Sequence, residues 1–271
     1  VNRLSLEKRT KIIQLLVEGN SLRSASRIED VSINTVSRLL VDVGKACLKF
    51  HSETVVKVPC KRVECDEIWS FVYSKEKNTV PAKAGAGNVW TWVAIDPDTK
   101  LVISWFAGQR GMRSAKFFMN DVWCRIRTRT QLTTDGLSLY QEAIADTFGG
   151  KVDFAQLVKI FSGREDDGEE IREGKYEGAE KRVFSGKPDL EKVSTTSVER
   201  QNLTMRMSIR RFGRRTNAFS KKMENHCFAI AIHYFHYNFV RIHKSLRVTP
   251  AMAAGLTKRF MTIEDIITLA A

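Results

Sequence analysis

The residues most able to do chemistry in this sequence are acidic, and their positions are unusual. Asp66 and Glu67 sit side by side within "VECDEIWSFVYSK", residues 63 to 75, a run of aromatic and β-branched residues that reads as a strand. Strand interiors disfavour Asp, and a charge placed there without a partner is costly, so Asp66 asks for a function. Asp135 closes "TTDG", and Glu199 opens a strongly basic helical stretch. Taken alone each has a structural reading, since Asp-Gly is a common turn pair and a carboxylate near a helix N-terminus complements the dipole. If the strands carrying Asp66 and Asp135 are neighbours, both point at one place, and a helix laid across that edge adds Glu199. Converging carboxylates repel unless cations neutralise them, and an all-oxygen site selects Mg²⁺ or Mn²⁺. Two such ions about 4 Å apart suit an in-line displacement at phosphorus, with Asp66 bridging both. Glu67 points to the opposite side of the strand, to pair with an Arg or Lys or to support the site indirectly.

Basic residues crowd in after Glu199: Arg200, Arg206, Arg210, Arg211, Arg214, Arg215, Lys221 and Lys222. Glu199, Asn202, Arg206 and Arg210 follow a rough i, i+3, i+7, i+11 stripe, so one helical face offers a metal ligand and phosphate clamps together. Across the chain, 44 Lys and Arg against 31 Asp and Glu give a formal charge of +13, which points to a polyanionic partner, most commonly nucleic acid. An anionic membrane is the competing partner. No apolar stretch approaches the roughly 20 residues of a membrane span and no signal pattern appears, which predicts a cytoplasmic, nucleoid-associated protein without membrane contact. The five cysteines are scattered and include no C-x-x-C pair, as expected of reduced thiols. Cys65 reads as a small packing residue, and His233 and His236 lie in an apolar helix where a core role outweighs metal binding. No glycine-rich phosphate loop, Ser-His-Asp order or nucleotide fingerprint is present.

These candidates need elements to hold them. From Leu4 to Phe50 the pattern is helical: "LSLEKRTKIIQLLVEGN" stops at Gly19 and Asn20, Ser21 caps a short helix, and Ser32 caps a third. Three helices with tight turns, the third opening on polar residues, match a helix-turn-helix reader of DNA, with Asn34, Thr35, Ser37 and Arg38 facing base edges. The alternative is a helical cap that only packs on the next domain. Residues 51 to 62 read as a linker. Beyond it come "RVECDEIWSFVYS", "NVWTWVAID" and "LVISWFAGQ" as a three-stranded meander, then helix, strand ("TQLTTDG"), helix, and "VDFAQLVKIF" as a fifth strand or short helix. This is an α/β architecture, a mixed sheet with helices on its faces. Residues 163 to 197, rich in charge and glycine, read as an exposed, partly mobile insertion, and 198 to 237 as returning helix.

"VECDEIWSFV", "TTDGLSLY" and above all "VERQNLTMRMSIRRFGRRTNAFSKK" resemble, in order and content, the three acidic motifs of bacterial transposases of the insertion sequence 1 family. The resemblance spans about residues 60 to 240, and "YNFVRIHKSLRVTPAMAAG" is similar to the tail of many integrase-like transposases. It implies a ribonuclease H-like catalytic fold with a mixed five-stranded sheet, a DDE triad on Asp66, Asp135 and Glu199, and Mg²⁺ or Mn²⁺, two ions, as cofactor. Residues 1 to 50 would be the helix-turn-helix domain, 63 to 250 the catalytic domain, and 251 to 271 a C-terminal tail. The implied activity is strand cleavage at element ends and transfer into target DNA. Its partners would be the terminal inverted repeats, target DNA and a second protomer or more. Asn34, Thr35, Ser37, Arg38, Arg200, Asn202, Arg206, Arg210 and Arg211 are the expected DNA contacts. Members of the family carry a zinc-binding cysteine cluster ahead of such helices; residues 1 to 50 here hold only Cys47, which leaves end recognition to the helices. A DNA-binding regulator or assembly protein with an inactive ribonuclease H-like domain is the alternative. Both bind DNA, and only metal-dependent cleavage separates them.

Overall fold

Three serines open the N-terminal helices. Ser5, Ser21 and Ser32 accept from the backbone N–H of Lys8, Ser24 and Asn34, capping α1 (Leu6–Val17), α2 (Leu22–Ile28) and α3 (Ile33–Thr54). The structure is a computed structural model and describes residues 4–78, 85–162 and 174–270. Gly19, at φ 83°, turns the chain out of α1 as the sequence predicts. There follow β1 (Arg62–Val72), β2 (Gly87–Ile95), β3 (Val102–Gly108), α4 (Met112–Arg125), β4 (Gln131–Asp135), α5 (Leu139–Phe148), β5 (Asp153–Ser162) and β6 (Lys175–Ser185). The C-terminal part is helical: α6 (Thr196–Ser208), α7 (Met223–Phe235), a π-turn over His236–Val240, α8 (Pro250–Ala253) and α9 (Ile263–Leu269).

The strands form one sheet in the order β3-β2-β1-β4-β5-β6. β1, β2 and β3 are the expected antiparallel meander, β4 and β5 run parallel to β1, and β6 returns antiparallel on β5. This is the expected α/β arrangement, a mixed sheet with helices on its faces. Neighbouring residues of β2 show how the layers divide. Trp92 packs with Phe118 of α4 and Tyr140 of α5 on one face, while Val93 joins Val198 and Met205 of α6 and Tyr234 of α7 on the other.

Four expectations are corrected. The sheet has six strands, and the sixth comes from the segment read as a loose insertion; residues 163–173 of that segment lie outside the described residues. β6 is a sheet edge exposed along almost its whole length, so it tolerates the charges that made it resemble a loop. The basic helix is interrupted: Ile209 leaves helical geometry (φ −116°, ψ 104°) and Arg210–Phe212 form a tight 3-10 turn that buries Phe212. Arg210 therefore leaves the helical stripe that began at Glu199. Finally, the expected linker and tail are packed parts of the body. α3 runs through residue 50, His51 bonds the Ile103 carbonyl at 3.1 Å, Val58 bridges to Ile126, and α9 buries Ile266 and Ile267 in the core that also holds Ile12 and Val43. Gly44 makes this junction possible: a Cβ there would lie 2.3 Å from that of Phe228, so α3 and α7 touch backbone to side chain. No described helix is long and apolar enough to cross a membrane.

Candidate active site

β1 and β4 lie side by side and parallel, with Cys65 opposite Thr134. One step further along both strands brings Asp66 beside Asp135, where β4 ends. Glu64 and Asp66, two residues apart, face the same side of β1, and α6 crosses that side. Glu64 is buried and accepts the N–H groups of Ser197 (2.7 Å) and Val198 (3.1 Å), supplying the cap that Thr195 does not. One turn on, Asn202 donates its Nδ2 to Asp66 Oδ2 at 2.8 Å. Held at these two points, α6 has Glu199 between them, at the mouth of a cavity of about 740 Å³ that Asp66, Asp135, Glu199, Arg110, Lys159 and Phe161 help to line.

The fold thus brings the three sequence-predicted acids to one cavity, though not as one cluster. Carboxylate oxygens of Asp66, Glu67 and Asp135 lie within 4.8 Å of one another, whereas Glu199 accepts from Lys159 Nζ (2.7 Å) and Thr195 Oγ1 (2.6 Å). Glu67 reaches the cluster although it leaves β1 on the opposite side, because β4 stops at Asp135 and no longer separates the two faces there. Its buried carboxylate accepts from Arg110 Nη2 at 2.6 Å and from the Tyr140 hydroxyl at 3.2 Å. Arg110 in turn lies over the Trp90 ring, 4.7 Å from its centroid.

The electrostatics follow from burying acids together. Burial, then Asp135 and Glu199, push Asp66 up to about 6. Burial, Asp135 and Asp66 push Glu67 up to about 7 against the pull of Arg110, and burial raises Asp135 as well. The three clustered carboxylates of Asp66, Glu67 and Asp135 form an all-oxygen donor set of the kind that can hold a hard divalent cation, with Arg110 and Lys159 as the neighbouring cations of the cavity.

Glu67 makes the Arg pairing expected of it, to Arg110, and its carboxylate also joins the acid cluster, which was not expected. Glu64, Arg110, Lys159 and Thr195 were not singled out from the sequence for these roles. Glu64 and Glu67 had a visible signal, acids at alternate and adjacent positions of an apolar strand. Lys159 lay in a run read as strand or helix, which left its direction open.

Of the expected DNA contacts, Asn34 and Arg38 are exposed and Thr35 and Ser37 half-buried, all in the first turns of α3. Asn34, Ser37 and Arg210 line a second cavity, of about 1110 Å³, between the N-terminal helices and the loop after α6. Arg200 is exposed at α6. Three residues do other work. Asn202 is buried against Asp66, and Arg211 is buried with its guanidinium bonded to Ser220 Oγ (2.9 Å) and the Asn225 carbonyl (2.6 Å). Arg206, half-buried, donates to the Phe212 carbonyl at 3.1 Å and braces the turn. His226 and His233 are core residues, and burial holds both down to about 3. Cys65 is fully buried as a packing residue.

The sequence profile of the IS1 transposase family matches residues 171–240, the segment that carries Glu199, the arginines after it and α7. No curated protein matches the chain. Among solved structures, a piggyBac transposase synaptic complex with hairpin DNA is 10% identical at a TM-score of 0.49, over 99% of this chain and 71% of that one. The Mos1 strand transfer complex is 13% identical at 0.25, over 86% and 76%, and a Mos1 mariner paired-end complex with Mn is 12% identical at 0.24, over 57% and 60%.

Proposed function

We propose that this protein is a DNA transposase of the DDE type, with Asp66, Asp135 and Glu199 as its catalytic acids. The observation that carries the reading is their convergence on one cavity, from two neighbouring strands and the helix across them. The IS1 family match over the segment containing Glu199 supports it.

Asp66 and Asp135 would hold divalent metal, with Glu67 close enough to share that task. When bound, Mg²⁺ or Mn²⁺, two ions in this reading, would supply Lewis-acid charge for an in-line displacement at phosphorus. Glu199 is the third acid: its ion pair with Lys159 is half-exposed and exchanges for water at little cost, while the bond from the buried Thr195 hydroxyl holds its carboxylate at the cavity mouth. Once free, Lys159 sits beside the acids as a phosphate ligand, and Arg200, exposed one residue after Glu199, extends the same contact along the strand. Glu64 and Asn202 are positioning residues, fixing α6 on β1. In this scheme water first cuts a strand at the element end, leaving a 3′-OH, and that hydroxyl then attacks target DNA. Asn34, Thr35, Ser37 and Arg38 read the ends from α3, and joining two ends calls for at least two protomers.

The test is Mn²⁺-dependent nicking of a duplex carrying the inverted repeat that flanks the reading frame. Asp66→Asn, Asp135→Asn and Glu199→Gln should each abolish nicking and leave DNA affinity within a few-fold of wild type. Full activity in one variant removes that residue from the triad. A wild-type protein that binds the repeat but never cuts it is the regulator or assembly protein instead.

A further inference from the structure

The carboxylate cavity has an apolar wall that the chemistry above does not use. β4 ends opposite Leu157, so β5 and β6 continue past it as a two-stranded arm on the side where the acids lie. The ammonium of Lys159 bonded to Glu199 shows which face of β5 looks into the cavity. Phe161, two residues on, points the same way and lines the same cavity. Tyr176 stands opposite Phe161 on β6, with ring centroids 5.8 Å apart in an edge-to-face pair. Phe161 and Tyr176 are 47% and 57% exposed, and Phe161 is the aromatic side chain in a cavity wall that also holds Leu137, Leu157 and Val158 beside the charged groups.

We propose that Phe161, backed by Tyr176, is a stacking platform for one nucleobase of the strand held at the carboxylates, a base taken out of the duplex next to the reacting phosphodiester. This rests on the transposase reading and adds the conformation of its substrate. An exposed ring offers a π-face to any base, so it can hold one without reading sequence. The neighbouring cations Lys159 and Arg110 suit the phosphates on either side of that base, which a strand of DNA supplies and an apolar protein segment does not. Phosphodiesters within stacked duplex are hard to bring into a cavity of this size, and unstacking one nucleotide solves that. A second copy of the chain is the other occupant such rings could take.

The experiment uses the full chain and the flanking-repeat duplex, with 2-aminopurine placed in turn at each position around the nick. In Ca²⁺, wild-type protein should change the fluorescence at one position adjacent to the nick, and Phe161→Ala should abolish that change. In Mn²⁺, Phe161→Ala should slow nicking of the intact duplex by roughly ten- to a hundredfold, Tyr176→Ala less, and Phe161→Trp should restore it. A duplex already unpaired at that position should be cut by Phe161→Ala at close to the wild-type rate. Phe161→Ala nicking the intact duplex at the wild-type rate, an equal loss on the unpaired duplex, or a loss of oligomers with unchanged fluorescence would each overturn the platform. Failure of the wild-type protein to nick either duplex would instead sink the transposase reading itself, and the platform with it.

Discussion

Asp66→Asn should make the metal-free protein more stable at pH 8 while removing its activity. Asp66 is raised from its ordinary 3.8 to about 6, chiefly by burial and then by Asp135 and Glu199. At 1.36 kcal/mol per tenfold change in proton affinity, that corresponds to roughly 3 kcal/mol as an upper bound on the cost of its charge in the native state. The cavity is open to solvent, so about 1–2 kcal/mol is the realistic gain, or several degrees in Tm for a chain of this size. The direction with pH follows from the native value lying above the unfolded one. Well below pH 4 the carboxyl is neutral in both states and the penalty is absent; it builds up between about pH 4 and 6 and is complete above 6, so only a small part of it remains at pH 4.5. The new amide finds an acceptor because Asn202 Oδ1 is buried without a hydrogen-bond partner among the described residues. Turning the Asn202 amide over presents that oxygen to the new amide of residue 66, while the Glu67 N–H keeps its acceptor. Thermal melts in EDTA at pH 4.5 and pH 8 measure the effect, and addition of Mn²⁺ at pH 8 should reverse the order by stabilising only the wild type. The reasoning fails if Asp66→Asn melts no higher than wild type at pH 8, or if an equal gain persists at pH 4.5.

Other consequences are simpler to state. Gly44→Ala should destabilise by about 1–3 kcal/mol in chemical denaturation, because the new methyl has to push Phe228 and α7 off α3. Arg211→Ala should cost about 3 kcal/mol and affect DNA binding only through folding, since its guanidinium is bonded inside the protein to Ser220 and Asn225. Arg38→Ala should blunt discrimination between the flanking repeat and random DNA in competition assays; a uniform loss on all sequences would make Arg38 a phosphate contact.

What could be read in advance depended on whether the signal was local. Serine caps, Gly19 and the three aromatic-rich strands announce themselves within a few residues, and their elements fall where the pattern places them. Asp66 was conspicuous because strand propensity and charge conflict at one position. β6 failed the same test: an edge strand with both faces in water needs no apolar alternation, so Lys175–Ser185 looks like a loop. The helical stripe from Glu199 to Arg210 failed for another reason. Burying Phe212 outweighed continuing α6, and nothing within the basic run marks Ile209 as the break.

Composition and local pattern were therefore enough to determine a basic, mixed α/β chain with acids misplaced in or near strands. Only the tertiary structure decided which acids meet. Glu67 joins Asp66 and Asp135 because β4 ends one residue early enough to open a passage between the faces, and Glu199 stays with Lys159 because Glu64 and Asn202 set the height of α6 on β1. Strand ends and helix docking heights come from packing between segments far apart in the chain, and a pattern read along the sequence carries no information about distances across it.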